Sequence, residues 1–367
     1  MDLATLFSRN LRHTGARMSV ANHPRSLPTL DLRHFEAGGS RRSGFLDELR
    51  AAAGGVGFFY LTGHGVDDVL VRDALSVSRR FFALPEQDKL AIEMVNSPHF
   101  RGYNRAGFEH TRGEPDWREQ VDIGPERAAL PFDLSAPPWT RLQGPNQWPA
   151  ALPELRSTLL LYQERITALA IRVLNAFAAA LEQPEAIFEP IYRPTANQLV
   201  KIIRYPGRAS DESDQGVGAH KDSGFVTILL QEKQSGLQVQ GEEGWIDAPP
   251  VPGTFVINIG EILEMASNGY LRANVHRVVS PRVGTDRLSI ALFLGARLDA
   301  TVPVLTLPPH LAAQARGVSQ DPRNPLFRDV GRNYLKSRLR SHPDVARRHH
   351  PDLIDPSSAQ LEQASAY

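Results

Sequence analysis

The chain is expected to be mainly β-structure with flanking helices, a barrel or sandwich with the helices packed outside it. Three features point that way. From about residue 197 the sequence breaks into short β-rich runs separated by Gly, Pro, Asn and Asp, the spacing of an all-β sandwich or barrel. Ahead of them, from Pro153, Leu155, Leu159, Tyr162, Ile166, Leu169 and Val173 recur at steps of three and four, which is one apolar helix face. The chain has 367 residues, 41% of them apolar. Length alone allows two domains, but a barrel with a helical cover absorbs it as one.

Taken in order, residues 1–24 read as a flexible extension with one acidic residue and several arginines, lacking the apolar stretch of a secretory signal. "SLPTLDL" (26–32) reads as a short strand, "GFLDELRAAAGGVG" as a helix ending at Gly54-Gly55, and "GFFYLTGHG" (57–65) as a β-run stopped by glycines. "DDVLVRDALSVSRRFFALP" places Val71, Ala74, Leu75 and Phe81 or Phe82 on one face, with acids in the first turn and Pro85 after the end. Residues 96–152 are rich in Gly, Pro and polar residues and read as long loops, the kind that serve as lids or binding segments.

The long helix follows, then the strand runs "NQLVKIIRYP", "FVTILLQE", "GLQVQ", "GWIDAP", "TFVINIG", "NVHRVVS" and "RLSIALFLGA". "NPLFRDVGRNYLKSRLRSHPDVARRHH" reads as a covering helix. The expected organisation is a single domain over 25–345, subdivided into 25–150, a long helix in 151–195, the β core in 196–300 and a helical cover in 301–345, with a mobile tail at 346–367.

With 41 basic and 41 acidic residues the formal charge is zero, which argues against a nucleic-acid or membrane-surface partner. No run approaches a membrane span. The absence of cysteine excludes disulfides, thiolate metal sites and cysteine nucleophiles, and fits a reducing, cytoplasmic setting. A small-molecule substrate and a monomer or weak oligomer are expected, and any metal must be held by histidine and carboxylate.

The β half contains only His220 and His276. "GVGAHKDSGF" puts His220 and Asp222 two apart, so both side chains leave one face of an extended backbone. His276 follows 54 residues after Asp222, inside another strand run. Two imidazoles and a carboxylate form the facial set of non-haem Fe(II) oxygenases, with positions left open. Hydrolytic zinc uses the same ligand types. Eleven residues beyond His276, Arg287 and Ser289 again lie two apart on one strand face. A guanidinium beside a hydroxyl is a carboxylate clamp. In so apolar a strand an unpaired charge is costly, and an incoming anion relieves the cost. Tyr205 in "IIRYP" supplies a phenol on an earlier strand, either for the same anion or as a core tyrosine whose hydroxyl is satisfied within the fold.

From Leu27 to Arg297 the chain resembles the isopenicillin N synthase-like Fe(II)/2-oxoglutarate-dependent oxygenases. The motifs are "LPTLDL", "GFFYLTGHGV", "FFALP", "GYNRAGFE", "DWREQVDIG", "HKDSGFVTILLQ", "GLQV", "GWIDAPPVPGTFVINIGEILEMASNG", "NVHRVV" and "RLSIALF", in order. The resemblance implies a double-stranded β-helix (jelly-roll) core and makes His220, Asp222 and His276 the iron ligands. It makes Arg287, Ser289 and Tyr205 the clamp for the distal carboxylate of 2-oxoglutarate, with O2 the other co-substrate. Lys221, Ile203 and Glu261 depart from the plant branch, where threonine, asparagine and aspartate are usual, so substrates do not transfer from it.

The implied activity is oxidation of an unactivated C–H bond of a small molecule, by hydroxylation first and by desaturation or cyclisation otherwise, with release of succinate and CO2. The substrate is expected over the iron, walled by Phe225 and, from the 96–124 segment, by Phe108, Arg101, Arg105, Arg118 and Gln120. The alternatives are an Fe(II) oxidase without 2-oxoglutarate, whose substrate carboxylate fills the Arg287/Ser289 clamp, and a non-catalytic metal- or ligand-binding protein.

Overall fold

Alternation along the strands sorts their apolar side chains into two cores. The structure, a computed structural model, describes residues 26–209, 213–318 and 324–354; the expected extension at 1–24 lies outside the described residues. The first part carries β1 (Thr29–Asp31), α1 (Leu32–Ala37), α2 (Gly39–Gly54), β2 (Phe58–Thr62), α3 (Asp68–Phe82) and α4 (Glu86–Leu90). Asp31 and Asp67 cap α1 and α3, each accepting from a backbone N–H two residues on. Ala74, Phe81 and Phe82 of α3 are buried, as its period requires.

The segment expected to be loops is partly strand. It contains β3 (Gly102–Asn104), the short hairpin β4 (His110–Thr111) and β5 (Glu114–Pro115), and β6 (Glu119–Ile123). β6 joins the main sheet beside β7, with Val121 and Ile123 turned to the core. The Gly- and Pro-rich flanks mask this strand in the sequence.

Next come α5 (Glu154–Ala180), α6 (Glu189–Tyr192), β7 (Asn197–Pro206), β8 (Gln215–His220), β9 (Val226–Gln231), β10 (Leu237–Gln240), β11 (Trp245–Asp247), β12 (Phe255–Ile259), α7 (Glu261–Ala266), β13 (His276–Val279) and β14 (Asp286–Gly295). One sheet has the order β1-β2-β12-β9-β14-β7-β6-β3 and a second the order β11-β10-β13-β8. Apart from the parallel β1–β2 pair, the ladders are antiparallel.

Val200, Ile202, Leu288, Ile290, Leu292 and Leu294 face outward and pack with the buried side of α5, which includes all six residues of the expected apolar face. Ile203, Tyr205 and Ala291, on the other face of the same strands, meet Val217, Leu237, Val239 and Val278 of the second sheet. The period of two thus builds both sides of the large sheet. Leu229, Gln231 and Phe293 sit on the inward faces of the central strands β9 and β14 and are only partly buried.

The C-terminal cover is α8 (Pro309–Ala312), α9 (Val330–Ser341) and α10 (Pro343–His349). The covering helix expected in this segment is broken at His342, because Pro343 cannot donate the next helical bond. The mobile tail was expected from 346, but residues 346–354 are structured. Helix α10 runs to His349, and His349 and His350 face the carbonyls of Val95 and Pro98 at 2.8 Å each.

Candidate active site

Strand β8 ends at His220, and the next two residues place Asp222 in the turn before β9. His276 opens β13 and pairs across the ladder with His220. The three side chains converge: His220 Nε2 and His276 Nε2 lie 3.5 Å and 3.6 Å from Asp222 Oδ1. One donor atom from each falls within 4.8 Å of the others.

Each group is oriented from behind. His220 Nδ1 faces the Gly218 carbonyl at 2.8 Å, and His276 Nδ1 faces the Asn274 carbonyl at 3.3 Å. Those carbonyls take the Nδ1–H, so each Nε2 presents a lone pair. Phe58 meets the His276 ring edge-on at 5.1 Å. On the carboxylate, Thr227 Oγ1 donates to Asp222 Oδ2 at 2.5 Å and Asn258 Nδ2 donates to it at 2.8 Å.

Burial works against the Asp222 carboxylate, but the imidazoles of His276 and His220 hold it well below the usual range. His220 is also penalised by burial, yet Asp222 raises it above its ordinary value. His276 is pushed down to about 4 by burial and by its neighbour His220. One carboxylate facing two imidazole lone pairs fits a divalent cation of borderline softness.

The second group lies on β14 and β7. Arg287 pairs with Tyr205 across the ladder, and its guanidinium sits 4.9 Å from the Tyr205 ring centroid. Arg287 is 1% exposed. Its Nη1 donates to Ser289 Oγ at 3.3 Å, its Nη2 to Gln231 Oε1 at 2.8 Å, and its Nε–H has no partner. Burial lowers its pKa, and among the described residues no carboxylate pairs with it. A buried cation supported only by neutral groups is a site for an anion. The residues present therefore fit both a metal and a carboxylate-bearing co-substrate.

The comparisons agree with this geometry. A family description reading non-haem dioxygenase in morphine synthesis N-terminal matches residues 27–151, and 2OG-Fe(II) oxygenase superfamily matches residues 196–296. The 2-oxoglutarate-dependent dioxygenase frbJ of a Dothideomycetidae species is 36% identical over 90% of this chain and 94% of its own. The chain belongs to the 2OG-Fe(II) oxygenase superfamily. The oxygenase is also 35% identical to the soybean (Glycine max) homoarginine-6-hydroxylase 2-ODD-C23, over 70% of this chain and 79% of that protein. A full-length Neurospora crassa protein, solved in complex with alpha-KG (2-oxoglutarate), superposes with a TM-score of 0.68 at 25% identity, covering 85% of this chain and 95% of that one. The protein is a 2-oxoglutarate-dependent non-haem iron dioxygenase with a jelly-roll core, using Fe(II), 2-oxoglutarate and O2. This decides between the alternatives that the residues alone left open.

The expected substrate walls divide. Phe225 is fully buried in the outer core against Phe188, with ring centroids 5.5 Å apart, and faces away from the metal ligands. Thr227, two residues on, faces inward instead, because the turn before β9 shifts the alternation. Arg101 donates to the main-chain carbonyls of His99, Phe100 and Leu142, so it staples its own loop instead of facing a ligand. Arg105 pairs with Glu93 at 2.7 Å and stacks on the exposed Phe108 ring at 4.7 Å, and no hydrogen bond or ion pair joins either to the triad.

Arg118 does approach the site. It pairs with Glu109 and Asp116 at 2.8 Å and 3.3 Å, and its charge is felt by both His220 and His276. Gln120 lies beside it, bonded to Glu109 and Asp122. Thr227, Gln231 and Asn258 were not singled out from sequence, although each is a polar residue at an inward position of an apolar strand. That signal was available. Among the described residues no helix is long and apolar enough to cross a membrane.

Proposed function

We propose that His220, Asp222 and His276 hold the Fe(II), and that Arg287, Ser289 and Tyr205 hold the far carboxylate of 2-oxoglutarate. The reaction proposed is oxidation of an unactivated C–H bond of a small molecule, with hydroxylation as the outcome. The observation that carries the reading is the buried Arg287 guanidinium. It has no carboxylate partner among the described residues and lies in the same interior as the converged His-Asp-His atoms.

When bound, iron with 2-oxoglutarate and O2 supplies the oxidising power, and 2-oxoglutarate leaves as succinate and CO2. The chain's own residues position and enclose. Thr227 and Asn258 turn Asp222 Oδ1 toward the imidazoles, and the Gly218 and Asn274 carbonyls fix the imidazole tautomers. Gln231 and Ser289 keep the Arg287 fork in place, and the Tyr205 ring lies beneath it. Leu229 and Phe293 add partly buried apolar surface on the same inward face, which limits water.

Residues 25–345 are taken as one oxygenase domain, since β1 and β2 share a sheet and a core with the jelly roll. A cytoplasmic location, a monomer or weak oligomer, and a partner list without nucleic acid or membrane complete the proposal. The relatives' names point to different small molecules and do not choose a substrate. The test is succinate formation from 2-oxoglutarate. It should require added Fe(II) and disappear in His276→Ala; succinate formation that is indifferent to both contradicts the reading.

A further inference from the structure

The inward face of β6 and β7 carries a polar cluster that adjoins the clamp, since the Tyr205 phenol acts on Arg118. Lys201 shares the inward face of β7 with Ile203 and Tyr205, and pairs across the ladders with Asp122 and Ala291. It is four residues from Tyr205, about 13 Å along the strand. Its ammonium lies 3.1 Å and 3.3 Å from the two oxygens of Glu109, and 3.5 Å from Asp122 Oδ2. Gln120 Nε2 donates to Glu109 Oε2 at 2.6 Å and to Asp122 Oδ1 at 3.0 Å. Arg118 reaches the same Glu109 oxygen. From α9, Arg338 donates to Asp122 at 2.7 Å, and beyond it His342 stands 3.8 Å from Glu109.

Apolar side chains of equal volume are commonly as stabilising as buried ion pairs. The charges are balanced, with Glu109, Asp116 and Asp122 against Arg118, Lys201 and Arg338. The hydrogen bonds are not. Gln120, 1% exposed, has both carboxylates on its amide nitrogen side, so its Oε1 has no partner. Arg118 Nε–H, buried as well, also has none. The orphan acceptor and the orphan donor thus belong to two groups that share Glu109 Oε2. Buried polar atoms of native proteins nearly always have partners, so this pair asks for one that the chain does not supply.

The cluster adjoins the triad. Asp116, bonded to Arg118, accepts from the Gly218 N–H at 3.1 Å, and the Gly218 carbonyl holds His220 Nδ1.

We propose that Arg118 and Gln120, set by Glu109, Asp122 and Lys201, form the substrate-recognition wall of this oxygenase. The substrate they select is a small polar molecule that presents an N–H to Gln120 Oε1 and a carbonyl or carboxylate oxygen to Arg118 Nε–H. An apolar molecule leaves both atoms unpaired and is rejected. The inference rests on the oxygenase reading above and deepens it. Two sources share the chemistry: a zwitterion of the amino-acid kind and a neutral cyclic amide.

The test is calorimetric binding of L-arginine, uracil and ethylbenzene to the protein loaded with Fe(II) and 2-oxoglutarate without oxygen. The visible band of the iron–2-oxoglutarate complex is recorded separately. L-arginine or uracil should bind, which tells the two sources apart, and ethylbenzene should not. Gln120→Met should weaken the polar probe by at least about tenfold, the loss of one hydrogen bond to a buried group, while the 2-oxoglutarate titration keeps its midpoint. Arg118→Lys, which keeps the charge and removes Nε–H, serves as the second variant. Ethylbenzene binding as well as either polar probe overturns the inference. So does failure of both polar probes to bind, or indifference of both variants. Loss of the visible band with polar binding intact strikes the oxygenase reading instead.

Discussion

The Thr227 hydroxyl lies 2.5 Å from Asp222 Oδ2, and Asn258 meets that same oxygen, so Oδ1 alone faces the two imidazoles. The carboxylate is therefore aimed before any metal arrives. Thr227→Val keeps the shape and removes the donor. Metal affinity, read by titration with Fe(II) or Co(II), is expected to fall about 10–100-fold, the usual effect of removing a group that orients a ligand. An unchanged affinity means that Thr227 is packing only.

Arg287 should govern 2-oxoglutarate and leave the metal alone. Arg287→Met removes a charge-assisted contact worth about 1.5–3 kcal/mol, so the dissociation constant of 2-oxoglutarate should rise roughly tenfold to a hundredfold. Arg287→Lys should recover only part of this, because an ammonium lacks the planar fork. Metal affinity in both variants should match the wild type.

Buried His342 gives the fold a pH dependence. Burial, as the largest cause, pushes its pKa down to about 4 from an ordinary 6.5. Between those values the unfolded chain binds more protons than the folded one. Stability from this group is thus full above about 6.5 and is lost as pH falls toward 4, by no more than about 3 kcal/mol. Urea unfolding at neutral pH and near pH 5 checks it, and His342→Gln should flatten the difference.

Gly260 lies where the turn after β12 crosses the chain that follows Asp222. A Cβ there would stand 2.0 Å from the Gly224 carbonyl oxygen. The next residue, Glu261, donates its N–H to the Asp222 carbonyl at 2.7 Å. Gly260→Ala should therefore cost about 1–3 kcal/mol of stability through overpacking and weaken metal binding as well, both measurable on one purified variant.

The parts of this molecule that follow a simple period were legible in the sequence. The buried face of α5 and the alternation of β7 and β14 come straight from residue spacing. His220 and Asp222 also converge, although β8 stops at His220 and Asp222 lies in the turn beyond it. β6 was hidden because its five residues sit between Gly- and Pro-rich stretches and its inward positions, Gln120 and Asp122, are polar. Phe225 was misplaced because the turn from Asp222 into β9 shifts the alternation, sending Phe225 outward and Thr227 inward. The convergence of Glu109, Lys201 and Arg338 joins residues far apart in the chain, which no local pattern reveals.

The central claim is that the His-Asp-His group and Arg287 act on one co-substrate. The most direct measurement is an anaerobic titration of the Fe(II)-loaded protein with 2-oxoglutarate, followed by the visible metal-to-ligand charge-transfer band. The expected band saturates in the wild type, vanishes in His276→Ala and needs far more 2-oxoglutarate in Arg287→Met. Iron demonstrably bound, with no band at any 2-oxoglutarate concentration, contradicts the claim.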